Sequence, residues 1–502
     1  MDHAFQVLLD FFSSPIVPAA FAGIAWGILG GALPGISPSI TIALLLPFTY
    51  GMDPAGAIVL LASAYFGAEY GGSIPAILIR TPGTNAAAAT LLDGYAMKEQ
   101  GKAGEALGIS LYSGVIGGCV GLAMLVLLTE PLSRIALAFQ PAAYFALGVL
   151  GLSVIASLSG QSLIKGVIAG VMGLMIASIG SDPVTGMNRF TFGSPELLSG
   201  VPPILVMVGL FAITELLRQS GEKGWARADQ KSARIKFPSR AIWKRIAVPQ
   251  FIGSVMGVIE GLTPGGGGTI AAFLAYNEAR RWSPNRDQFG HGAPEGIAAP
   301  ETANTSVSKT ALIPMMSLGI PGSNSAAVLL GGFLIQGLIP GPMLFVKHAE
   351  FVNDLYLGLA VGIPALLIIG HLIMPPCIWL VNRPKYLLMA FVYALIVSGI
   401  YSIENSLFQL AIVIGFGVLG YVMKLLDLPF LPMVLGVVLG FMVESNFRRA
   451  LVLSDGDYMA FVENPIAAGL LAASLLFIVT SVIRHLRDAR KSGAASVGHS
   501  HG

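Results

Sequence analysis

Apolar runs near or at membrane-spanning length follow one another along this 502-residue chain. They start around Pro15, Ser39, Pro54, Leu107, Pro141, Leu163, Val201, Ile246, Phe351, Leu387, Leu407, Pro429 and Pro465. In hydrocarbon every backbone N–H and C=O must be bonded within the protein, so only helices or closed barrels cross it. Runs approaching the roughly 20 residues of a spanning helix select the helical solution. Charged residues make up 11% of the chain, less than half of the roughly 25% usual in soluble domains. That excludes most soluble enzymes, and a net charge of +2 offers nothing to nucleic acid. The expected fold is an all-α polytopic membrane protein with about 11–14 transmembrane or re-entrant helices.

Two cysteines, Cys119 and Cys377, lie in apolar runs and are expected to be small buried hydrophobes; they exclude a disulfide framework and a Cys-rich metal site. No Lys or Arg precedes Arg80, so Pro15 to Gly31 reads as a retained first membrane helix, not a cleaved signal. The long polar stretch from Arg218 to Arg245 holds nine Lys or Arg residues against Glu222 and Asp229, which makes it cytoplasmic by the positive-inside rule. Arg484, Arg487, Arg490 and Lys491 place the C-terminal tail on the same side, with Ala494 to Gly502 expected to be disordered and His499 and His501 simply solvated. The expected division is a first membrane repeat over 1–217, a basic linker over 218–245, a second repeat over 246–464, a terminal transmembrane helix over 465–486 and a tail over 487–502.

An internal repeat organises the rest. Laying Phe21–Ile40 over Phe251–Ile270 aligns Phe21/Phe251, Gly23/Gly253, Gly27/Gly257, Gly31/Gly261, Pro34/Pro264, Gly35/Gly265 and Ile40/Ile270. With nine more residues of offset, Ile74-Pro75 falls on Ile313-Pro314, and Pro82-Gly83-Thr84-Asn85 falls on Pro321-Gly322-Ser323-Asn324. Duplicated membrane halves are often inverted about an axis in the membrane plane. Inversion fits the absence of basic residues up to Ile79, and Pro465–Ile483 is the extra helix that reconciles it with a basic C-terminus.

The stretches Ser73–Leu92 and Leu312–Ile339 are cut by Pro and Gly into half-length pieces, the pattern of broken or re-entrant helices. Pro-Gly ends an incoming helix, and Ser, Thr or Asn starts the next. A half-helix N-terminus presents free N–H groups and roughly half a positive charge, a seat for an anion. Carbonyls freed at the preceding end suit a cation. Packing kinks are the plain alternative for each break. Pro34-Gly35-Ile36-Ser37 and Pro264-Gly265-Gly266-Gly267-Gly268-Thr269 form a second matched pair. No Gly-Lys-Ser/Thr follows those glycines, which excludes a nucleotide loop.

Ionisable residues in apolar surroundings are functional candidates. Glu69, Glu260, Glu301 and Lys309 each flank a break. Lys309 overlays Tyr70 in the repeat and has three readings: pairing with Glu69, contact with a substrate carboxylate, or a water-filled edge. Glu404, Asp427 and Glu444 read as interfacial or structural, and His371 as a satisfied packing histidine. An intramembrane enzyme would need clustered Asp or His near one face; only Asp455 and Asp457 stand close, in a short loop, so no enzymatic activity is expected. A passive channel fits broken repeats less well than alternating access does.

At these residues the chain resembles the large membrane subunit of the tripartite tricarboxylate transporters, the TctA-like family. Gly30-Gly31-Ala32-Leu33-Pro34-Gly35, Tyr70-Gly71-Gly72-Ser73-Ile74-Pro75-Ala76-Ile77-Leu78, Thr81-Pro82-Gly83-Thr84 and Asp93-Gly94-Tyr95 carry the likeness. Pro294-Glu295-Gly296, Ala299-Pro300-Glu301 and Leu318-Gly319-Ile320-Pro321-Gly322 extend it. The resemblance implies a multi-pass carrier of the bacterial inner membrane, without cofactor, that imports di- or tricarboxylates using Na⁺ or H⁺. It implies a small TctB-like membrane subunit, a periplasmic TctC-like solute-binding protein, an elevator-like motion and a homo-oligomer as a further option. A stand-alone carboxylate carrier is the nearest alternative. Asn85, where the family often has Pro, and Thr305, where it often has Asn, depart from the pattern and leave the particular acid open. The expected substrate-binding set is Ser73, Thr81, Gly83, Thr84, Asn85, Lys309, Gly322, Ser323 and Asn324, and the expected ion-binding set is Pro34, Gly35, Ser37, Gly265, Gly266, Asn304 and Thr305.

Overall fold

The computed structural model describes residues 14–498 apart from 138, 159–161, 183–185, 221–233 and 264. Glu222, Asp229, Pro264, His499 and His501 lie outside the described residues, as do the side chains of Glu404, Arg484, Arg487, Arg490 and Lys491. The chain is almost wholly helical. In order come α1 (Ile16–Gly31), α2 (Pro38–Leu45), α3 (Pro54–Gly71), α4 (Ser73–Ile79), α5 (Ala87–Glu99), α6 (Ala103–Ala136), α7 (Pro141–Leu158) and α8 (Leu163–Ala177). A two-residue ribbon, β1 (Gly180–Ser181) with β2 (Asn188–Arg189), precedes α9 (Pro203–Ser220). Then follow α10 (Arg240–Leu262), α11 (Gly267–Trp282), α12 (Glu295–Thr310), α13 (Leu312–Leu318), α14 (Asn324–Ile335), α15 (Pro342–Lys347), α16 (Ala349–Leu372) and α17 (Met374–Val381). The last are α18 (Lys385–Glu404), α19 (Leu407–Leu425), α20 (Phe430–Leu453), α21 (Ala460–Glu463) and α22 (Pro465–Gly498). Among the described residues eight helical stretches are long and apolar enough to cross a membrane, and five further apolar helices have 10–17 residues. Pro and Gly explain the shortness of several: α1 stops before Pro34-Gly35, and α4 and α13 each stop at a left-handed residue.

The chain divides into two compact units. The first comprises the residues up to Ala136 together with Met207–Val418. In it the two halves of the repeat build the same motif: a long helix, a break, a second helix, a buried helix, a short helix, a break and a helix again. Glycines set the spacing. A Cβ on Gly23 would stand 2.3 Å from the Leu60 carbonyl oxygen, and one on Gly27 2.3 Å from that of Ala64. The repeat returns both contacts, at 2.3 Å from Ala299 for Gly253 and 2.5 Å from Ala303 for Gly257. So α1 lies on α3 as α10 lies on α12. Lipid gives helices no hydrophobic reason to associate, so close backbone approach at small residues does that work. Gly117 and Gly121 of α6 make equally close approaches to Thr302 and Ser306 of α12, which leaves α12 wholly buried.

The second unit, Leu137–Val206 with Leu419 onward, packs α8 on α20 through Gly173 and Gly436, whose Cβ positions fall 2.1 Å and 2.4 Å from the carbonyl oxygens of Met433 and Gly170. Arg448 bonds Asp182 at 2.9 Å and Glu444 at 2.7 Å, and Arg189 bonds Glu444 at 2.7 Å. Glu444 is therefore structural. One expectation needs correction. Cys119 is exposed, because the packed face of α6 is its glycine row and Cys119 lies off it; Cys377 is buried. His371 is satisfied as expected but exposed: its Nδ1 lies 2.8 Å from the Leu367 carbonyl oxygen and its ring packs edge-on at 5.9 Å against Tyr112.

Branched side chains at Gly27 or Gly257 must push a backbone carbonyl aside. Gly27→Val and Gly257→Val are each expected to destabilise the chain by about 1–3 kcal/mol, read as a lowered thermal unfolding midpoint in detergent. Gly415→Ala, with nothing within 4 Å of the new methyl, serves as a control that leaves the midpoint unchanged or raised.

Candidate functional site

Each half of the repeat breaks twice, and in the same way. Gly35 and Gly265 hold φ of +83° and +87°, a left-handed conformation that glycine adopts without strain, and so turn the chain between α1 and α2 and between α10 and α11. Arg80 and Gly319, a register pair, end α4 and α13 at φ of +57° and +77°. The following tips are tied down by their glycines. Gly83 donates its N–H to Gly72 at 3.0 Å, and Gly322 accepts from the N–H of Gly265 at 3.2 Å. Cβ positions on Gly83 and Gly322 fall 2.0 Å and 2.6 Å from the carbonyl oxygens of Gly31 and Gly261. The hydroxyls behind them cap matching residues: Thr84 Oγ1 accepts from Ala87 N at 3.3 Å, and Ser323 Oγ from Ala326 N at 3.1 Å.

All four breaks face one cavity of about 120 Å³. Ser37, Pro38 and Ser39 bring the start of α2, and Gly265 to Thr269 the start of α11. Thr84, Asn85 and Ala86 bring the start of α5, and Ser323, Asn324 and Ser325 that of α14. Tyr65 and Glu69 of α3 complete the wall. Because the capping hydroxyls serve the N–H groups of Ala87 and Ala326, those of Asn85, Ala86, Asn324 and Ser325 have no acceptor among the described residues. Four helix N-termini thus present main-chain donors and partial positive charge to one space, the surroundings an anion requires.

One feature of the wall is a buried acidic side chain. Glu69 is 5% exposed and forms no salt bridge among the described residues. Asn304 stands beside it, its Nδ2 3.4 Å from the Glu69 carbonyl oxygen, while its Oδ1 is buried without a donor. A Cβ on Gly268 would lie 2.2 Å from Asn304 Oδ1 and 3.7 Å from Glu69 Oε1. Two oxygen acceptors therefore converge where glycine leaves room. Tyr65 spans the repeats, its hydroxyl 2.9 Å from Ser323 Oγ.

Of the substrate-binding set, Thr84, Asn85, Ser323 and Asn324 line the cavity, and of the ion-binding set Ser37, Gly265 and Gly266 do. Asn304 sits just behind, against Gly268. Gly83, Gly322, Pro34 and Gly35 shape the breaks without lining it. Four others lie elsewhere. Ser73 faces α6, with its hydroxyl 2.6 Å from Ser110 Oγ. Thr81 bonds the Ile79 carbonyl oxygen at 3.3 Å. Thr305 bonds back to the Glu301 carbonyl oxygen at 2.7 Å and packs on Gly117. Lys309 is fully buried, with Nζ 3.0 Å from the centre of the Phe66 ring and no hydrogen-bond partner among the described residues. It does not pair with Glu69: Lys309 is the register partner of Tyr70 and turns toward Gly118 and Gly121 of α6, whereas Glu69 turns to the cavity. Tyr65, Ser39, Gly268 and Thr269 were missed as site residues. For Tyr65 the available signal was its position one helical turn before Glu69.

A family model described as "Tripartite tricarboxylate transporter TctA family" matches residues 17–435. The chain belongs to the TctA family. It is 36% identical over 470 residues, 94% of both chains, to an Agrobacterium vitis sequence described as an uncharacterized 52.8 kDa protein in the TAR-I ttuC' 3' region. A second Agrobacterium vitis sequence, described as an uncharacterized protein in the TAR-II ttuC' 3' region, is 34% identical over 238 residues, 47% of this chain and 97% of the relative. No solved structure matches. The protein is thus a membrane transporter component of the tripartite tricarboxylate transporter family.

Behind the cavity, this TctA-family chain locks its two repeats together through two buried carboxylates. Glu301 of α12 accepts from Thr90 of α5 and, at 3.0 Å, from Ser110 of α6. Asp93 of α5 accepts at Oδ1 from the N–H groups of Gly290, Gly292 and Ala293 at 2.8, 2.9 and 2.7 Å, and at Oδ2 from the Tyr276 hydroxyl at 2.9 Å. Gly296 makes room, since a Cβ there would stand 2.0 Å from Oδ2. Asp93 thus holds the loop that enters α12. Asp93→Ala strands three loop N–H donors and is expected to cost about 3 kcal/mol or more, read as faster proteolysis between Arg286 and Ala293 than in the unchanged protein.

Proposed function

We propose that this protein is the large membrane subunit of an ion-coupled secondary transporter that imports di- or tricarboxylates, or related organic acids, delivered by a periplasmic solute-binding protein across the bacterial inner membrane. The convergence of four helix N-termini on one cavity carries this reading. Asn85 and Asn324, exposed at matching tips, would supply side-chain donors to carboxylate oxygens, next to the free N–H groups behind them. Membership of the TctA family supports the small TctB-like subunit and the TctC-like binding protein as partners. The recurrence of the same glycine contacts in both halves supports an inverted repeat, with the broken helices carried together in an elevator-like motion.

Energetics requires a co-transported cation. A trianion entering a negative-inside cell works against about 2.3 kcal/mol per charge per 100 mV, roughly 7 kcal/mol in all. At least three monovalent cations would neutralise it, and a fourth would let the membrane potential help. The site makes the same demand locally, because the Glu69 carboxylate shares a small cavity with the incoming acid. A Na⁺ ion between Glu69 Oε1 and Asn304 Oδ1, or a proton on Glu69, removes that repulsion; the convergence of two acceptors favours Na⁺.

Uptake of labelled carboxylates into proteoliposomes holding the full chain with its small subunit, supplied with the binding protein, tests the proposal. Uptake should rise with an inward Na⁺ or H⁺ gradient, and indifference to both would overturn it. Uptake without the binding protein would instead mark a stand-alone carrier. Asn85→Ala and Asn324→Ala are each expected to reduce uptake at low substrate about tenfold, the equivalent of one hydrogen bond to a charged acceptor, with insertion unchanged. Glu69→Gln should flatten the cation dependence more than it lowers the amount of folded protein.

A further inference from the structure

Away from the cavity, a groove of about 460 Å³ opens where the start of α10 meets the end of α11. Its floor is apolar, built by Val248, Pro249, Ile252 and Ala279, and its edges are Lys244 and Trp282. Four exposed cations mark this end of the helix pair: Arg240 and Lys244 on α10, Arg280 and Arg281 on α11. The nearby acids are already engaged. Glu278 takes the Trp282 indole N–H at 3.1 Å and Arg281 at 3.5 Å, and the buried Glu295 takes Arg245 at 2.6 Å and Asn285 at 3.2 Å. Among the described residues Lys244 bonds none of them and no other acid, and its ammonium stands at the mouth of an apolar groove.

The groove continues into an outward apolar stripe. Along α10, Val248, Phe251 and Ile259 are 62%, 69% and 52% exposed, and no charge interrupts them before Glu260. A cationic mouth, an exposed tryptophan and an apolar track running on along α10 match the headgroup, glycerol and acyl regions of a phospholipid in order. We propose that this groove is a binding site for an anionic phospholipid, with its phosphodiester at Lys244 and one acyl chain along Val248, Phe251 and Ile259. A soluble phosphate compound would use the mouth alone and gain nothing from floor or stripe. The site also reaches the transport machinery, since Arg245, on its wall, bonds Glu295 at the start of α12, the helix that carries Asn304.

The full chain in detergent is probed with fluorescent phosphatidylglycerol and, separately, with phosphatidylcholine bearing the same acyl chains. Phosphatidylglycerol should be retained preferentially, and Lys244→Gln should weaken its retention about fivefold, as expected for one surface cation, without changing phosphatidylcholine. Ile252→Trp, which fills the floor and leaves every charge in place, should displace the probe as well. Equal retention of the two lipids, or retention unaffected by both variants, would overturn the proposal. Competition by glycerol 3-phosphate as strong as that by unlabelled phosphatidylglycerol would overturn it too, by showing a phosphate site without a lipid. None of these readouts depends on uptake, so the outcome is separate from that of the transport experiment.

Discussion

A carbonyl oxygen standing where a side chain would otherwise be is the contact on which the first unit depends. It occurs at Gly23 and Gly27 against α3, at Gly253 and Gly257 against α12, and again where the tips at Gly83 and Gly322 press on Gly31 and Gly261. Each contact replaces a methyl group by the backbone of the neighbouring helix. In lipid, where burying leucine against leucine gains little over leaving it in acyl chains, such approach is a main source of helix association. It also fixes position to a fraction of an ångström. The glycines that join α1 to α3 are continuous with those that seat the first tip, so packing and site geometry are set by one row of residues.

That row explains how backbone can be broken in the middle of the unit. Unpaired N–H and C=O groups deep in lipid cost several kcal/mol each. The breaks meet this partly internally, through caps by Ser37, Thr84 and Ser323 and through the bond from Gly265 to Gly322. What is left over faces the cavity: donors at the helix starts, acceptors at Glu69 and Asn304. Donors and acceptors left over from the breaks thus share one space.

Much of this was legible in the sequence, for a definite reason. Pro-Gly pairs act through their own backbone, so Pro82-Gly83 and Pro321-Gly322 declare a break wherever they fall, and two registers separated by nine residues aligned them. Thr84 and Ser323 cap locally and were equally readable. Residues whose role depends on helix phase were not. Ser73, Thr305 and Lys309 stand near the breaks in sequence but turn toward α6, where Ser73 meets Ser110, Thr305 packs on Gly117 and Lys309 faces Gly118 and Gly121. Glu69 stood out as a charge, yet its place opposite Asn304 and Gly268 depends on residues 235 and 199 positions away in the chain. Asp93 showed itself only within a family-like motif; its three loop N–H partners carry no side-chain signature at all.

The donors at the tips belong to the main chain. Asn85, Ala86, Asn324 and Ser325 would keep their N–H groups through any replacement except proline, so this array of donors is insulated from most substitutions. The side chains at the rim, by contrast, are replaceable. A scaffold divided in this way keeps its array of donors through most substitutions while the surface presented around that array is free to vary.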